Sequence, residues 1–243
     1  MTMHIGILQC DDVAQALRET HDNYSDMFIT LFRAIEPDLT FTVWRCQDGD
    51  IPASTDAADA WLITGSKYGV NDGEPWIEAL SEFVRSLHQE QRTIVGVCFG
   101  HQLVAHALGG AVRSHPGGWG VGVSHNQVQE RAPWMHPWKP DLNILVSHQD
   151  QVHQLPENSK VLASSEFCPF YMIQVDDNVL GIQGHPEFTK GYSADLMERR
   201  RGNIPDHVLD DGITSLERPV DDMLVGRWIL NFILQNKDPN REV

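Results

Sequence analysis

A cysteine held between glycines at the end of an apolar run is the most reactive-looking feature of this sequence. Ile94-Val95-Gly96-Val97-Cys98-Phe99-Gly100-His101-Gln102 reads as a buried strand that ends in a Gly-x-Cys-x-Gly turn and passes at once into a helix. Such a strand-to-helix elbow projects its central side chain from the sheet edge. The glycines on either side allow the backbone to approach closely enough to make the turn. The N-terminus of the following helix favours negative charge, so it stabilises a thiolate and offers free amides to a developing oxyanion. A lone free cysteine is more often a small packing residue; the elbow around Cys98 is what favours a nucleophile.

A thiol nucleophile needs a base, and the base needs a group that holds its tautomer. Gly181-Ile182-Gln183-Gly184-His185-Pro186-Glu187 supplies both. On an extended segment, side chains one residue apart come to the same side. Glu187 can then accept a proton bond from one imidazole nitrogen of His185 while the other nitrogen faces the thiolate. His-Pro-Glu alone would more often be a surface turn, and its meaning comes from the cysteine elbow. The order nucleophile, His, Glu differs from the Ser…Asp/Glu…His order of α/β-hydrolases, which argues against an esterase. A Cys–His pair also implies an activity optimum near neutral pH or above.

The elements that must position these residues alternate between strand and helix. Strands are expected over 4–8, 41–45, 60–64 and 93–97, and helices over 24–35 and from Pro75 onward. Met27, Phe28, Leu31, Phe32 and Ile35 fall on one helical stripe, and Trp76, Leu80, Phe83, Val84 and Leu87 on another. Pro75 suits a first helical turn, where its missing N–H costs nothing. This alternation implies a three-layer α/β fold: an open, mostly parallel sheet with helices on both faces. The second half breaks into short strands at 121–123, 142–146, 161–163, 171–175 and 179–183, an antiparallel or mixed extension of the sheet. Helices at 192–200 and 220–235 close the chain, and 134–140, with three prolines and two tryptophans, reads as a packed surface loop. No linker or repeat divides the sequence, so residues 1–243 are expected to form one domain. Its catalytic core spans about 4–190 and its C-terminal helices about 190–236.

Composition narrows the function classes. The 243 residues are 41% hydrophobic, enough for one substantial core. A net charge of −16 repels phosphate backbones, so nucleic acid is a poor partner. Arg199-Arg200-Arg201 is the only dense basic run, and it reads as a solvated helix end. No apolar run approaches the ~20 residues needed to span a bilayer, and the N-terminus lacks a basic segment followed by an apolar core. A cytoplasmic protein without membrane partners is expected. Cys10, Cys46 and Cys168 lie far apart without a Cys-x-x-Cys pair, so packing is their default role. His101 and His106 are five apart and miss the i, i+4 step of a helical metal pair, so no metal is expected.

The two motifs together resemble the class I (triad-type) glutamine amidotransferase family, over about residues 4–190. The resemblance implies a flavodoxin-like fold in which Cys98 attacks a γ-carboxamide, His185 shuttles the proton and Glu187 orients His185. A γ-glutamyl thioester then forms and is hydrolysed, with no organic cofactor. Ile63-Thr64-Gly65-Ser66 matches the family's oxyanion loop, implying that the Gly65 and Phe99 amides bind the oxyanion. Gln102 matches a glutamine that helps hold the substrate. Ser147-His148-Gln149-Asp150 matches the loop whose backbone grips the substrate's α-amino and α-carboxylate groups. Many members carry Gly where this chain has Gln149, so the pocket is expected to differ from one built for free glutamine.

The pattern is most similar to stand-alone members related to the amidotransferase domain of GMP synthase, and within them to plant γ-glutamyl peptidases. Roughly 50 residues follow Glu187, too few for a typical synthetase domain, and no Gly-rich Lys-Ser/Thr phosphate loop is present. The leading expectation is a cysteine-dependent hydrolase of a small γ-glutamyl substrate, either glutamine or a γ-glutamyl peptide or amine. The alternative is a glutaminase subunit that delivers ammonia to a separate synthetase. A non-catalytic regulatory module on the same fold is a third reading.

Overall fold

Strands buried along their whole length need cover on both faces, and Ala60–Ile63 and Thr93–Val97 at the centre of the sheet are of this kind, as is His4–Gln9 past its first residue. The computed structural model describes residues 3–237. In chain order it contains β1 (His4–Gln9), α1 (Gln15–His21), α2 (Tyr24–Ile35), β2 (Thr40–Arg45), β3 (Ala60–Ile63), α3 (Pro75–Gln89), β4 (Thr93–Val97) and α4 (Phe99–Ala107). Then follow β5 (Ala111–Ser114), β6 (Gly120–Val128), β7 (Asp141–His148), β8 (Asp150–Gln154), β9 (Ser159–Ser164), β10 (Met172–Val175) and β11 (Val179–Ile182). The helices α5 (Lys190–Arg199), α6 (Asp206–Ser215) and α7 (Asp222–Lys237) come last.

Nine strands form one sheet in the order β2-β1-β3-β4-β11-β10-β9-β6-β7, while β5 and β8 pair separately. The first five are mutually parallel, and every later pairing is antiparallel. Their order is the 2-1-3-4-5 arrangement of flavodoxin-like sheets, with β11 in the fifth place. The expected parallel core with an antiparallel extension is therefore present. The β10–β11 hairpin returns the chain to the middle of the sheet, and this places His185 beside the end of β4.

Alternation along each strand divides the core. Ala60 and Leu62 of β3 join one apolar cluster and Trp61 and Ile63 the other; β4 splits Val95 and Val97 from Ile94 in the same way. The first face is covered by α2 and α7 through Phe28, Phe32 and Trp228, the second by α3 and α4 through Leu80, Phe83 and Leu103. Each such fully buried side chain contributes about 1.5–3 kcal/mol of transfer free energy. The carboxyl edge of the sheet is thus fixed from both sides. Pro75 begins α3 as expected, and a capping box from Asn23 and Asp26 starts α2.

Three differences from the sequence reading have physical causes. Helices α1 and α6 were not expected: α1 buries no residue and α6 buries only Leu209 and Gly212, so neither carries an apolar stripe. Strand β6 is far longer than 121–123, because its polar residues Ser124 to Gln127 pair with β7 along their whole length. Strand β8 arises where only a loop was expected, pairing with β5 apart from the main sheet. The 134–140 segment is packed as predicted: Trp134 and Met135 are buried, and Trp228 Nε1 donates to Pro137 O at 2.9 Å. Among the described residues no helix is long and apolar enough to cross a membrane.

Candidate active site

Three neighbouring parallel strands, β3, β4 and β11, deliver their carboxyl ends side by side, with Ile63 opposite Gly96 and Val97 opposite Ile182. Ligands of open α/β sheets bind beyond this edge. β4 runs directly into Cys98, whose backbone takes φ +53° and ψ −103° and whose residue is only 6% exposed. A non-glycine residue in that region stores on the order of 1–3 kcal/mol of strain and needs surroundings that enforce it. Here the Cys98 N–H donates to Ile182 O at 2.8 Å, and its carbonyl accepts from the Gln102 N–H at 3.0 Å. The glycines do what the elbow requires. A Cβ on Gly96 would run into the Gly100 carbonyl, and one on Gly100 would lie 2.8 Å from Ile63 Cβ and 2.9 Å from Ile63 C.

His185 follows β11 and is anchored by its N–H to Leu145 O at 2.8 Å. Its Nδ1 donates to Glu187 Oε1 at 2.7 Å, and both side chains are buried. The contact does not arise on an extended segment, as the spacing implied. Pro186 and Glu187 form a turn, closed by the Phe188 N–H on the His185 carbonyl, and the turn swings the carboxylate under the ring. Phe188 stacks on the imidazole with centroids 3.8 Å apart at 8°, and is braced edge-on by Tyr192. Burial alone would lower the ring's proton affinity. The Glu187 carboxylate and the Cys98 sulfur beside the ring outweigh burial and raise its pKa well above that of free histidine.

Gly65, after β3, sits against both partners: a Cβ there would lie 2.9 Å from His185 Cε1 and 3.7 Å from Cys98 Cβ. Among the described residues no backbone acceptor binds the Gly65 or Phe99 N–H. The loop carrying Gly65 is tied down by buried Asp11, which accepts from the Lys67 N–H at 2.9 Å and from Lys67 Nζ at 2.7 Å.

A cavity of about 190 Å³ opens over Cys98. Gln102, Ser147, His148, Gln149 and Asp150 all line it, whereas His185, Glu187, Gly65 and Phe99 lie off its surface. Gln102 is buried and its amide donates to Asp150 O at 2.8 Å and to Gln183 Oε1 at 3.2 Å. It thereby ties the elbow helix to the segment opposite. That segment is a tight turn between β7 and β8, with Ser147 and His148 ending one strand and Asp150 starting the next. Burial holds the His148 ring uncharged, with its pKa pushed down to about 3. The Asp150 carbonyl that accepts from its Nδ1 at 3.2 Å opposes the shift, while the His185 and His115 rings reinforce it.

Ser66, from the expected oxyanion loop, and Lys67, Tyr68, Gly69, Trp119 and Arg200, which sequence reasoning missed, complete the lining. Arg200 corrects the reading of 199–201 as a uniformly solvated helix end, since its guanidinium reaches Ser147 Oγ at 2.5 Å. No pattern in the sequence marks it, because the contact spans 53 residues. Cys10, Cys46 and Cys168 are all buried free thiols, in keeping with packing. Burial is the main cause that raises the pKa of each, for Cys168 to about 12.

Comparison with known proteins agrees with this arrangement. The family model for glutamine amidotransferase class-I matches residues 18–200. A glutamine amidotransferase-like protein of Schizosaccharomyces pombe is 30% identical over 250 residues, covering 97% of this chain and 100% of that protein. Gamma-glutamyl peptidase 4 of Arabidopsis thaliana is 28% identical over 210 residues, covering 83% of each. The crystal structure of a glutamine amidotransferase from Thermotoga maritima shares the fold, with a TM-score of 0.75 at 16% identity over 96% of this chain and 98% of that one. With the model spanning the elbow and the β11 turn, and a relative matching from end to end, this chain belongs to the class I glutamine amidotransferase family.

Proposed function

We propose that the chain is a cysteine-dependent hydrolase of γ-glutamyl amide bonds, working as one domain on glutamine or on a γ-glutamyl peptide or amine. The observation that carries this reading is the Nδ1–Oε1 bond of 2.7 Å between His185 and Glu187, on a buried ring set beside the Cys98 elbow. With Nδ1 committed to Glu187, the other ring nitrogen is left for the thiol proton. Cys98 sulfur attacks the γ-carbonyl, and the Gly65 and Phe99 amides receive the oxyanion. The tetrahedral adduct collapses with C–N cleavage, and the His185 imidazolium gives its proton to the leaving amine. The γ-glutamyl thioester is then attacked by water, which loses its proton to His185; C–S cleavage releases glutamate and restores the thiol. Gln102, Ser147, His148, Gln149 and Asp150 hold the glutamyl group in this scheme.

Family membership supports a second reading, in which the same thioester chemistry liberates ammonia for a separate synthetase. The similarity to a protein named for γ-glutamyl peptidase activity, over 83% of both chains, favours the hydrolase. The test is glutamate release by the purified chain from glutamine and from a panel of γ-glutamyl dipeptides and amines, with Cys98→Ala as the blank. Turnover that Cys98→Ala abolishes, with an acyl adduct on Cys98 in intact-mass spectra of the quenched reaction, is the expected result. Undiminished turnover in Cys98→Ala would refute the mechanism, and release from glutamine alone would favour the synthetase-linked reading.

A further inference from the structure

Arg200 is held apart from the acids that neutralise its neighbour. Arg201 pairs with Glu198 at 2.8 Å and with Asp206 at 3.5 Å. Arg200 instead donates from one terminal nitrogen to Ser147 Oγ at 2.5 Å and lays its guanidinium over Trp119, 4.9 Å from the ring centre. It has no carboxylate partner among the described residues, in a chain whose net charge is −16. A guanidinium presents five donors in a planar fork, and Ser147 takes one of them. The others remain for an anion, and the fork matches the two oxygens of a carboxylate.

Its position says which carboxylate. Arg200 and Lys67 line both the cavity over Cys98, about 190 Å³, and a second cavity of about 600 Å³ bounded by Asp11, Tyr24 and Tyr192. Lys67 is already occupied by Asp11 at 2.7 Å. Arg199 lines the larger cavity only, so Arg200 is the cation without a carboxylate partner that borders both. The cavity over Cys98 is the smaller of the two and is lined by Gln102 and Ser147–Asp150, the residues assigned above to the glutamyl group. With the glutamyl group in the smaller cavity, the larger one on the other side of Arg200 is the space left for whatever is joined to the γ-carbonyl.

We propose that Arg200 determines leaving-group specificity by binding a carboxylate on the part of the substrate beyond the scissile amide. This rests on the reading of Cys98 as the nucleophile of a γ-glutamyl hydrolase. The favoured substrates are then γ-glutamyl conjugates of amino acids or short peptides, with glutamine and γ-glutamyl amines turned over less well.

The test compares kcat/KM for γ-glutamylalanine, its C-terminal amide, γ-glutamylethylamine and glutamine, in the parent and in Arg200→Gln and Arg200→Lys. The parent is expected to prefer the free acid over its amide by about 10- to 100-fold, the span of a charge-assisted hydrogen bond. Arg200→Gln collapses that ratio toward one, and Arg200→Lys restores part of it, because the charge returns without the fork. Equal rates on acid and amide in the parent would overturn the inference, and this comparison needs no variant to fold. A uniform loss on all four substrates in Arg200→Gln would also overturn it, since the carboxylate they share is the glutamyl one. A parent inert on all four substrates would instead overturn the γ-glutamyl reading beneath it.

Discussion

Gly100→Ala isolates the geometry of the elbow from its chemistry. The added methyl would stand 2.8 Å from Ile63 Cβ and 2.9 Å from Ile63 C, with the Ile63 carbonyl closer still. Ordinary contact begins near 3.4 Å, so α4 and β3 must part by at least 3.4 − 2.8, about 0.6 Å. Neither side yields easily: Ile63 is pinned between β1 and β4, and Gly100 lies in the first turn of a buried helix. Overpacking of this kind costs about 1–3 kcal/mol. The displacement separates Cys98 from Gly65, the two groups that must converge on one carbonyl. Misplacement on that scale lowers catalysis by up to about 100-fold. The assay is kcat/KM on the best γ-glutamyl substrate beside a urea melt, with Leu80→Ala as the comparison. Leu80 packs in α3 on the same face but away from the elbow, and its truncation costs about 2–5 kcal/mol. Gly100→Ala should lose far more activity than Leu80→Ala for no greater loss of stability. Parental activity in Gly100→Ala, or an equal loss in Leu80→Ala, would refute the argument.

Glu187→Gln keeps the shape of the side chain and removes its charge. The loss of a charge-assisted bond worth about 1.5–3 kcal/mol should lower kcat/KM by about 10- to 100-fold. The carboxylate raises the proton affinity of His185, so its removal should also move the alkaline limb of the rate profile to lower pH; an unmoved limb would count against the pairing. The buried rings of His101 and His148 both have pKa values pushed down to about 3, mainly by burial. Both lie below the value of free histidine, so the unfolded chain takes up protons that the folded chain refuses. Stability is held above about pH 6.5 and is lost as pH falls, by about 2 kcal/mol per ring at about pH 5. Denaturant midpoints between about pH 7 and pH 5 should therefore slope less in His101→Asn than in the parent, and parallel slopes would remove His101 from the account.

What the sequence made legible was local. Gly96, Cys98 and Gly100 lie within one strand–turn–helix unit, and their spacing marks a crossing at which neither position 96 nor position 100 has room for a side chain. The parallel core was legible for a related reason: strands such as Ala60–Ile63 are buried on both faces and carry no polar residue. Where burial is one-sided or slight, the signal failed. The α6 helix buries only Leu209 and Gly212, and β8 lies outside the main sheet with a run of Asp150, Gln151, His153 and Gln154. The residue types of the His185–Glu187 pair were evident, but not the turn that joins them, because period-two alternation describes a strand and Pro186 ends it.

The cavity above Cys98 shows why the walls of a pocket are harder to read from sequence than the motif at its floor. Its chemistry-bearing floor comes from strand ends, whose positions follow from the order of the sheet. Its walls come from the turn at Ser147–Asp150, the Lys67 loop, Trp119 ahead of β6 and Arg200 at the end of α5, four segments whose convergence no short motif encodes. Arg200 sits in a run of three arginines, and charge patterning alone assigns all three the same solvated role. The end of the helix separates them: α5 closes at Arg199, Arg200 caps it and reaches Ser147 and Trp119, and Arg201 turns back to Glu198. The C-terminal boundary of that helix, where the Arg200 N–H donates to the Leu196 carbonyl at 3.2 Å, is therefore what parts three like residues that the sequence alone cannot tell apart.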